Sequence, residues 1–257
     1  MNLELENRRA LVTGASRGLG RAIASALAAE GALVTAVARN RERLNELAAE
    51  NRAGSGSITV RTCDLADASS IDALGDVLEQ VDILVLNSGG PPPGSAAGTA
   101  DAVWSKQFEA MFLSAGRWMR LALPGMRARR FGRILTVVSS GVIQPIPNLG
   151  VSNALRAAVV GWAKTLAAEV AGEGITVNCM APGRIATDRV AELDQARATR
   201  EGMELGQVER ESRAAIPAGR YGEAAEFAAV AAFLASPRAS YMTGGVVRVD
   251  GGMIRSV

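Results

Sequence analysis

The sequence contains no histidine. That removes the commonest general base and the commonest metal ligand together, and no metal site is expected. Cysteine is scarce: Cys63 and Cys179 each sit at the end of an apolar run. One disulfide or two buried thiols are the two readings, and an intracellular chain favours thiols. Tyrosine occurs only as Tyr221 and Tyr241, and lysine only as Lys106 and Lys164, so nearly all of the 28 basic residues are arginine. In such a chain an arginine standing where lysine is usual carries little weight alone. No sign of charge dominates: 28 basic residues face 26 acidic ones, a net charge of +2. Without a long block of like charge, nucleic acid is not an expected partner. No apolar stretch approaches the ~20 residues of a membrane span, and the opening "MNLELENRRALVTG" lacks the apolar core of a signal peptide. The expectation is a cytoplasmic protein with no membrane contact.

What is present is alternation. Hydrophobic residues make up 48% of the 257 positions and charged residues 21%, the balance of an ordinary globular domain with a sizeable core. Runs rich in Val, Ile and Leu at 10–14, 32–38, 58–63, 82–87, 133–139, 175–180 and 245–250 read as strands. Several are apolar on both faces, as strands of a covered parallel sheet are. Helical patterns stand between them, at 18–30, 41–50, 103–123, 152–172 and 223–235. In the fourth, Leu155, Val159, Trp162, Leu166 and Val170 make one apolar stripe, with Ser152 and Arg156 on another face. Strand–helix alternation without a linker predicts a single domain over 1–257, an α/β doubly wound fold with a central, mainly seven-stranded parallel sheet and right-handed crossovers.

Two stretches break the rhythm. "NSGGPPPGSAAGTA" (87–100) is rich in Gly, Pro and Ser and reads as loop. From Arg189 to Arg213 five basic and six acidic residues stand among few apolar ones. Following a strand end, where open α/β sheets bind ligands, the segment 184–215 reads as a substrate lid. A solvated amphipathic helix is the other reading.

"LVTGASRGLGRAIASALA" (11–28) joins strand to helix through Gly14, Gly18 and Gly20. Glycines there let the backbone turn tightly and approach a pyrophosphate, whose charge the helix N-terminus meets. Preceded by Thr13, the turn resembles the T-G-x-x-x-G-x-G of the short-chain dehydrogenase/reductase family. Asp64-Leu65 after the third strand, "NSGG" at 87–90 with Asn87, "APGRIATD" at 181–188 and "YMTGGVVRVDGG" at 241–252 are similar to further motifs of that family, over nearly the whole chain. The overall pattern looks most like its 3-oxoacyl-carrier-protein reductase branch. The resemblance implies a Rossmann-type fold. It also implies cofactor contacts from Gly14, Ser16, Arg17, Gly18, Leu19 and Gly20, from Asp64, Leu65 and Asn87, and from Pro182, Gly183, Ile185 and Thr187. It implies a homo-oligomer, a dimer or tetramer, in which the helix from Ser152 packs against its partner.

Charge selects the cofactor. A site for NAD usually carries an acid after the second strand. Here that strand ends "AVARNRERL", with Arg39 and Asn40 and no acid, and Arg17 lies in the glycine-rich turn. Two guanidiniums fit a 2′-phosphate, so NADP(H) is expected over NAD(H).

The family's reagents are a Tyr that moves the proton, a Lys four residues later, a Ser that polarises the carbonyl and an Asn that holds a water relay. "GRILTVVS" puts the Ser at Ser139. The Tyr and Lys places fall on Ser152 and Arg156, and the Asn place on Met111. Neither tyrosine is followed four residues on by lysine, and Lys164 lies roughly 12 Å further along the helix than Arg156. Ser152 and Arg156 therefore stand where the reagents would, with Arg156 the expected ligand of the nicotinamide ribose. A serine hydroxyl is a far weaker acid than a phenol, and arginine stays protonated, so the three can polarise a carbonyl but not supply its proton. Plainer readings remain for each: Ser152 as a helix cap, Arg156 as compositional drift, Met111 as core. The expected activity is a modified oxidoreductase acting on a small carbonyl or hydroxyl compound. A non-catalytic NADP(H)-binding sensor or scaffold, or an enzyme of non-redox chemistry, are the alternatives.

Overall fold

Each of the seven Val/Ile/Leu runs becomes a strand of one parallel sheet in the computed structural model, which describes residues 1–256. They are β1 (Arg9–Thr13), β2 (Leu33–Ala38), β3 (Ser57–Thr62), β4 (Ile83–Leu86), β5 (Gly132–Val137), β6 (Ile175–Pro182) and β7 (Val246–Val249), each end within two residues of the sequence reading. The order across the sheet is β3-β2-β1-β4-β5-β6-β7, and every pairing is parallel. Side chains alternate between the two faces. Leu11, Leu84 and Ile134 enter one core, while Val12, Val85 and Leu135 enter the other. The edge strand β3 departs from the doubly buried pattern, with Ser57, Arg61 and Thr62 exposed.

Helices cover both faces. The first core is closed by α1 (Gly18–Ala29), α2 (Arg41–Glu50) and α10 (Ala224–Ala235). The second is closed by α3 (Ala68–Asp72), α4 (Gly75–Glu79), α6 (Ser114–Arg129) and α7 (Gly150–Val170). The five-residue helices α3 and α4 are too short to leave a periodic signal in the sequence.

Three sequence expectations need correction. The helix expected over 103–123 is α5 (Asp101–Phe108), a π-helical turn at Glu109–Leu113, and α6. It runs on through Pro124 because the carbonyl that Pro124 leaves unpaired belongs to exposed Arg120, within reach of water. In α7, Trp162 is only half-buried against Phe112 and Ala163 takes the buried place. Ser152 and Arg156 are themselves buried, since sheet and π turn enclose that side of the helix. The charged stretch forms two helices, α8 (Asp188–Glu201) and α9 (Leu205–Ala214), tied by Arg197 to Glu211 at 2.7 Å.

Both cysteines are free and buried, and desolvation pushes the Cys179 thiol up to about 12. Among the described residues, no helix is long and apolar enough to cross a membrane.

Candidate active site

The strand order reverses between β1 and β4, so their carboxyl ends open a crevice, the place where doubly wound sheets take ligands. Thr13 and Asn87 latch its floor. The Thr13 hydroxyl accepts the Asn87 N–H at 2.8 Å and donates to Asn87 O at 3.1 Å, and Asn87 Nδ2 donates to Gly14 O at 3.3 Å. The latch leaves no room for side chains. A Cβ on Gly14 would stand 2.3 Å from Asn87 O, and one on Gly20 would stand 2.4 Å from Gly14 O. Gly14 also holds a φ of +61°, in the left-handed region.

From this cradle the chain enters α1. Arg17, at the cap position, makes no side-chain bond to the helix, so the first N–H groups, on Gly18 and Leu19, point at the crevice without an intrahelical partner. That is an anion-binding end. Ser16 and Leu19 are half-buried beside it. Arg39 is exposed, and Asn40 is occupied as the cap of α2, accepting Arg43 N–H at 2.9 Å. Asp64 is exposed and Leu65 half-buried on the β3 side of the crevice.

The opposite wall comes from β6 and the loop that leaves it. Gly183 N–H donates to Val249 O at 2.9 Å, Ile185 is buried and bridges to Gly222, and the Thr187 hydroxyl donates to Ile185 O at 3.2 Å. From Thr187 the chain turns into α8, which crosses the mouth. Arg17 Nη1 lies 3.0 Å from Glu192 Oε1 and 3.5 Å from Asp188 Oδ2, and Arg43 Nη1 lies 4.0 Å from Asp188. Arg189 Nη2 donates to Pro91 O at 2.7 Å on the far wall. The segment 184–215 is no freely solvated helix. Asp194 is buried, paired with Arg184, and accepts the Tyr221 hydroxyl at 2.7 Å, while burial and that carboxylate raise the Tyr221 pKa.

At the reaction end, Ser139 Oγ accepts the Gly141 N–H at 3.1 Å, which caps a short 3₁₀ turn and leaves the hydroxyl proton free to be donated. Ser152 is the third residue of α7, not its cap: the helix begins at Gly150 and carries no side-chain cap. Arg156 is not on the surface, as drift would allow. Its Nη1 donates to Val137 O at 2.6 Å and its Nη2 to Ser88 O at 3.3 Å, bolting the ends of β5 and β4 together. Desolvation, then the charge of Arg189, pushes its pKa down to about 10. Met111 is buried in the π turn against Val151, Leu155 and Trp104. Beneath Arg156 lies a cavity of about 30 Å³, large enough for a water molecule. The buried Thr136 hydroxyl and Trp118 indole N–H line it, both without a protein partner.

Sequence reasoning missed Arg43, Arg189 and the Asp194–Arg184–Tyr221 knot. Arg43 left a signal, standing four residues after Arg39. The other two depend on long-range contacts that no local pattern announces.

Comparison with known proteins agrees with this geometry. A family model described as enoyl-(acyl carrier protein) reductase matches residues 14–254. The 3-oxoacyl-[acyl-carrier-protein] reductase FabG of Vibrio cholerae is 37% identical over 256 residues, covering 98% of this chain and 99% of that protein. The L-sorbose reductase of Gluconobacter frateurii, solved with NADPH and L-sorbose, superposes with a TM-score of 0.93 at 32% identity over all of both chains. YwfH, an NADPH-dependent reductase involved in bacilysin biosynthesis, also gives 0.93, at 29% identity over 98% of this chain and all of that one.

Proposed function

The chain belongs to the short-chain dehydrogenase/reductase family, and from that membership we propose that it is an NADP(H)-dependent oxidoreductase of a carbonyl or hydroxyl substrate, working without an ionisable proton donor. One observation carries the reading: the nucleotide cradle is complete, while the reaction end offers only Ser139, Ser152 and Arg156. The cradle suits the cofactor, because a Cβ at Gly14 or Gly20 would fill it and the α1 N–H groups lack partners. The glycine-rich turn with Ser16 and Leu19 would hold the pyrophosphate, Arg17 and Arg39 the 2′-phosphate, and Asp64 with Leu65 the adenine. Asn87, Arg156, Pro182, Gly183, Ile185 and Thr187 would hold the nicotinamide half. When bound, that half supplies a hydride.

The chain's own part is electrostatic. The Ser139 hydroxyl donates a hydrogen bond to the substrate oxygen, Ser152 adds a second donor, and the Arg156 cation sets a fixed positive field. With a pKa of about 10, Arg156 remains charged at neutral pH. The proton itself comes from water or from the substrate. The name of the FabG relative makes a 3-oxoacyl compound the first substrate to try. The single chain acts as one domain, 1–257, with 184–215 as its lid, and works in the cytoplasm. A partner copy would cover the apolar strip of Phe108, Leu113 and half-buried Trp162.

The test is NADPH oxidation with 3-oxoacyl thioesters, simple ketones, imines and enones, followed by single-turnover rates from about pH 6 to 10. Turnover whose chemical step lacks the limb of a titrating acid is expected. A clear limb would reveal an acid that this reading omits. Absence of turnover throughout would favour a nucleotide-binding scaffold, a role that the two carbonyl bonds of Arg156 already suit.

A further inference from the structure

Asp188 and Glu192 stand four residues apart at the start of α8 and so project from one side of it. That side meets the glycine-rich turn: the Thr187 methyl lies 3.6 Å from where a Cβ on Gly18 would stand. Arg17 reaches both carboxylates, at 3.0 Å and 3.5 Å, and Arg43 reaches Asp188 at 4.0 Å. Arg39 has no carboxylate within ion-pair distance among the described residues. Of Arg17, Arg39 and Arg43, Arg17 and Arg43 already hold acids of the lid.

We infer that Asp188 and Glu192 are specificity-determining residues: they occupy Arg17, one of the two guanidiniums assigned to the 2′-phosphate, and Asp188 also holds Arg43 beside it, so a 2′-phosphorylated nucleotide enters by exchanging ion pairs and detaches the start of α8 from the glycine-rich turn. The inference rests on the NADP(H) reading above. A phosphate monoester carries close to two negative charges at neutral pH, against one on each carboxylate. Arg17 offers the same Nη1 to Glu192 and Asp188, so a dianion arriving there displaces them. Once it is seated, Asp188 and Glu192 face like charge and are repelled from it. A 2′-hydroxyl brings no charge and leaves the pairs as they are. The same cleft then holds the lid in two arrangements, set by one phosphate. The second anchor, Arg189 on Pro91 O, uses an uncharged acceptor on the other wall and is untouched by the exchange. All three members of the Arg17 cluster are about half exposed, 51% for Arg17, 61% for Asp188 and 48% for Glu192. The exchange therefore works at the scale of surface pairs, and the hydrogen bond from Arg17 to Glu192, which raises the Arg17 pKa, shows that the charge is engaged.

The experiment compares adenosine 2′,5′-bisphosphate with adenosine 5′-monophosphate on the full chain, in the parent and in Glu192→Gln and Asp188→Asn. Calorimetry should show the bisphosphate binding about two- to fivefold more tightly to Glu192→Gln than to the parent, the factor an exposed ion pair supplies. The monophosphate should bind both alike. Hydrogen exchange of residues 188–201 in the parent should quicken with the bisphosphate and stay unchanged with the monophosphate; this arm needs no variant. Bisphosphate affinity unchanged or weakened in both variants, or identical exchange with either nucleotide, overturns the inference while leaving the NADP(H) reading in place. A parent that binds the two nucleotides equally overturns both.

Discussion

Replacing Arg156 with Met separates the structural from the electrostatic part of this site. Two quantities oppose each other. The guanidinium donates at 2.6 Å to Val137 O and at 3.3 Å to Ser88 O. Bonds from a charged donor are each worth about 1.5–3 kcal/mol, and with the second one long the pair contributes about 2–4 kcal/mol. Against this, the charge is buried without an ion pair among the described residues, and desolvation pushes the pKa down to about 10. That drop corresponds to about 3 kcal/mol against the charged form. Methionine keeps most of the apolar volume, so the variant should lie within about 1–2 kcal/mol of the parent at pH 7.5, in either direction. The pH dependence fixes the sign. The folded pKa lies below the unfolded one, so above about pH 10 the unfolded chain binds the extra proton and the parent gains stability as pH rises. By pH 10.5 the gain is about 1 kcal/mol, and the Met variant has no such group. Urea unfolding of both proteins at pH 7.5 and 10.5 measures the difference. A variant more than about 4 kcal/mol less stable at pH 7.5, or a parent–variant gap that ignores pH, would refute the picture of a poorly compensated buried charge.

Arg39→Ala should weaken NADPH binding by about 1.5–3 kcal/mol and leave NADH unchanged, read by fluorescence titration, with the effect shrinking at high salt. Gly14→Ala forces a Cβ to 2.3 Å from Asn87 O at a φ of +61°; a loss of at least about 2 kcal/mol in thermal unfolding, together with lost nucleotide binding, is expected. Ser152→Ala should slow single turnover by at most ~10²–10³-fold, since it removes one polarising donor. Placing Tyr at 152, Lys at 156 and Asn at 111 together should add a pH-dependent limb to the single-turnover rate, and a folded triple variant with a flat profile would show that the pocket does not admit the ring.

The sheet and the glycine-rich turn were legible because both are written in local pattern. Val/Ile/Leu runs can only be buried strands here, and Gly14, Gly18 and Gly20 answer to a backbone that leaves no space. Asn87 was legible by motif, although its latch to Thr13 was not. The charged segment was half legible. Charge density marked 189–213 as separate from the core, yet the same density concealed that Asp194 is buried, because its partners Arg184 and Tyr221 lie 10 and 27 residues away. The π turn at Glu109–Leu113 has no sequence period to betray it. For Arg156, position along the helix suggested a ribose ligand. The carbonyls of Val137 and Ser88, 19 and 68 residues away, occupy two of its N–H groups, which only tertiary structure reveals.

Met111 and Arg156 line one cavity, and Ser152 stands about one helical turn before Arg156 on α7. A lysine at 156 has one nitrogen where the guanidinium has a fork, and would lose the simultaneous hold on β4 and β5. The π turn that shares this cavity carries apolar side chains. Met111 accordingly packs on Val151, Leu155 and Trp104, where an asparagine amide would be buried without partners at a cost of about 1–3 kcal/mol. A hydroxymethyl group at 152 then suits a buried place on α7 that an unrelieved phenol ring would overfill. The arrangement holds a buried cation that does not titrate near neutral pH, fixed on the carbonyls of Val137 and Ser88.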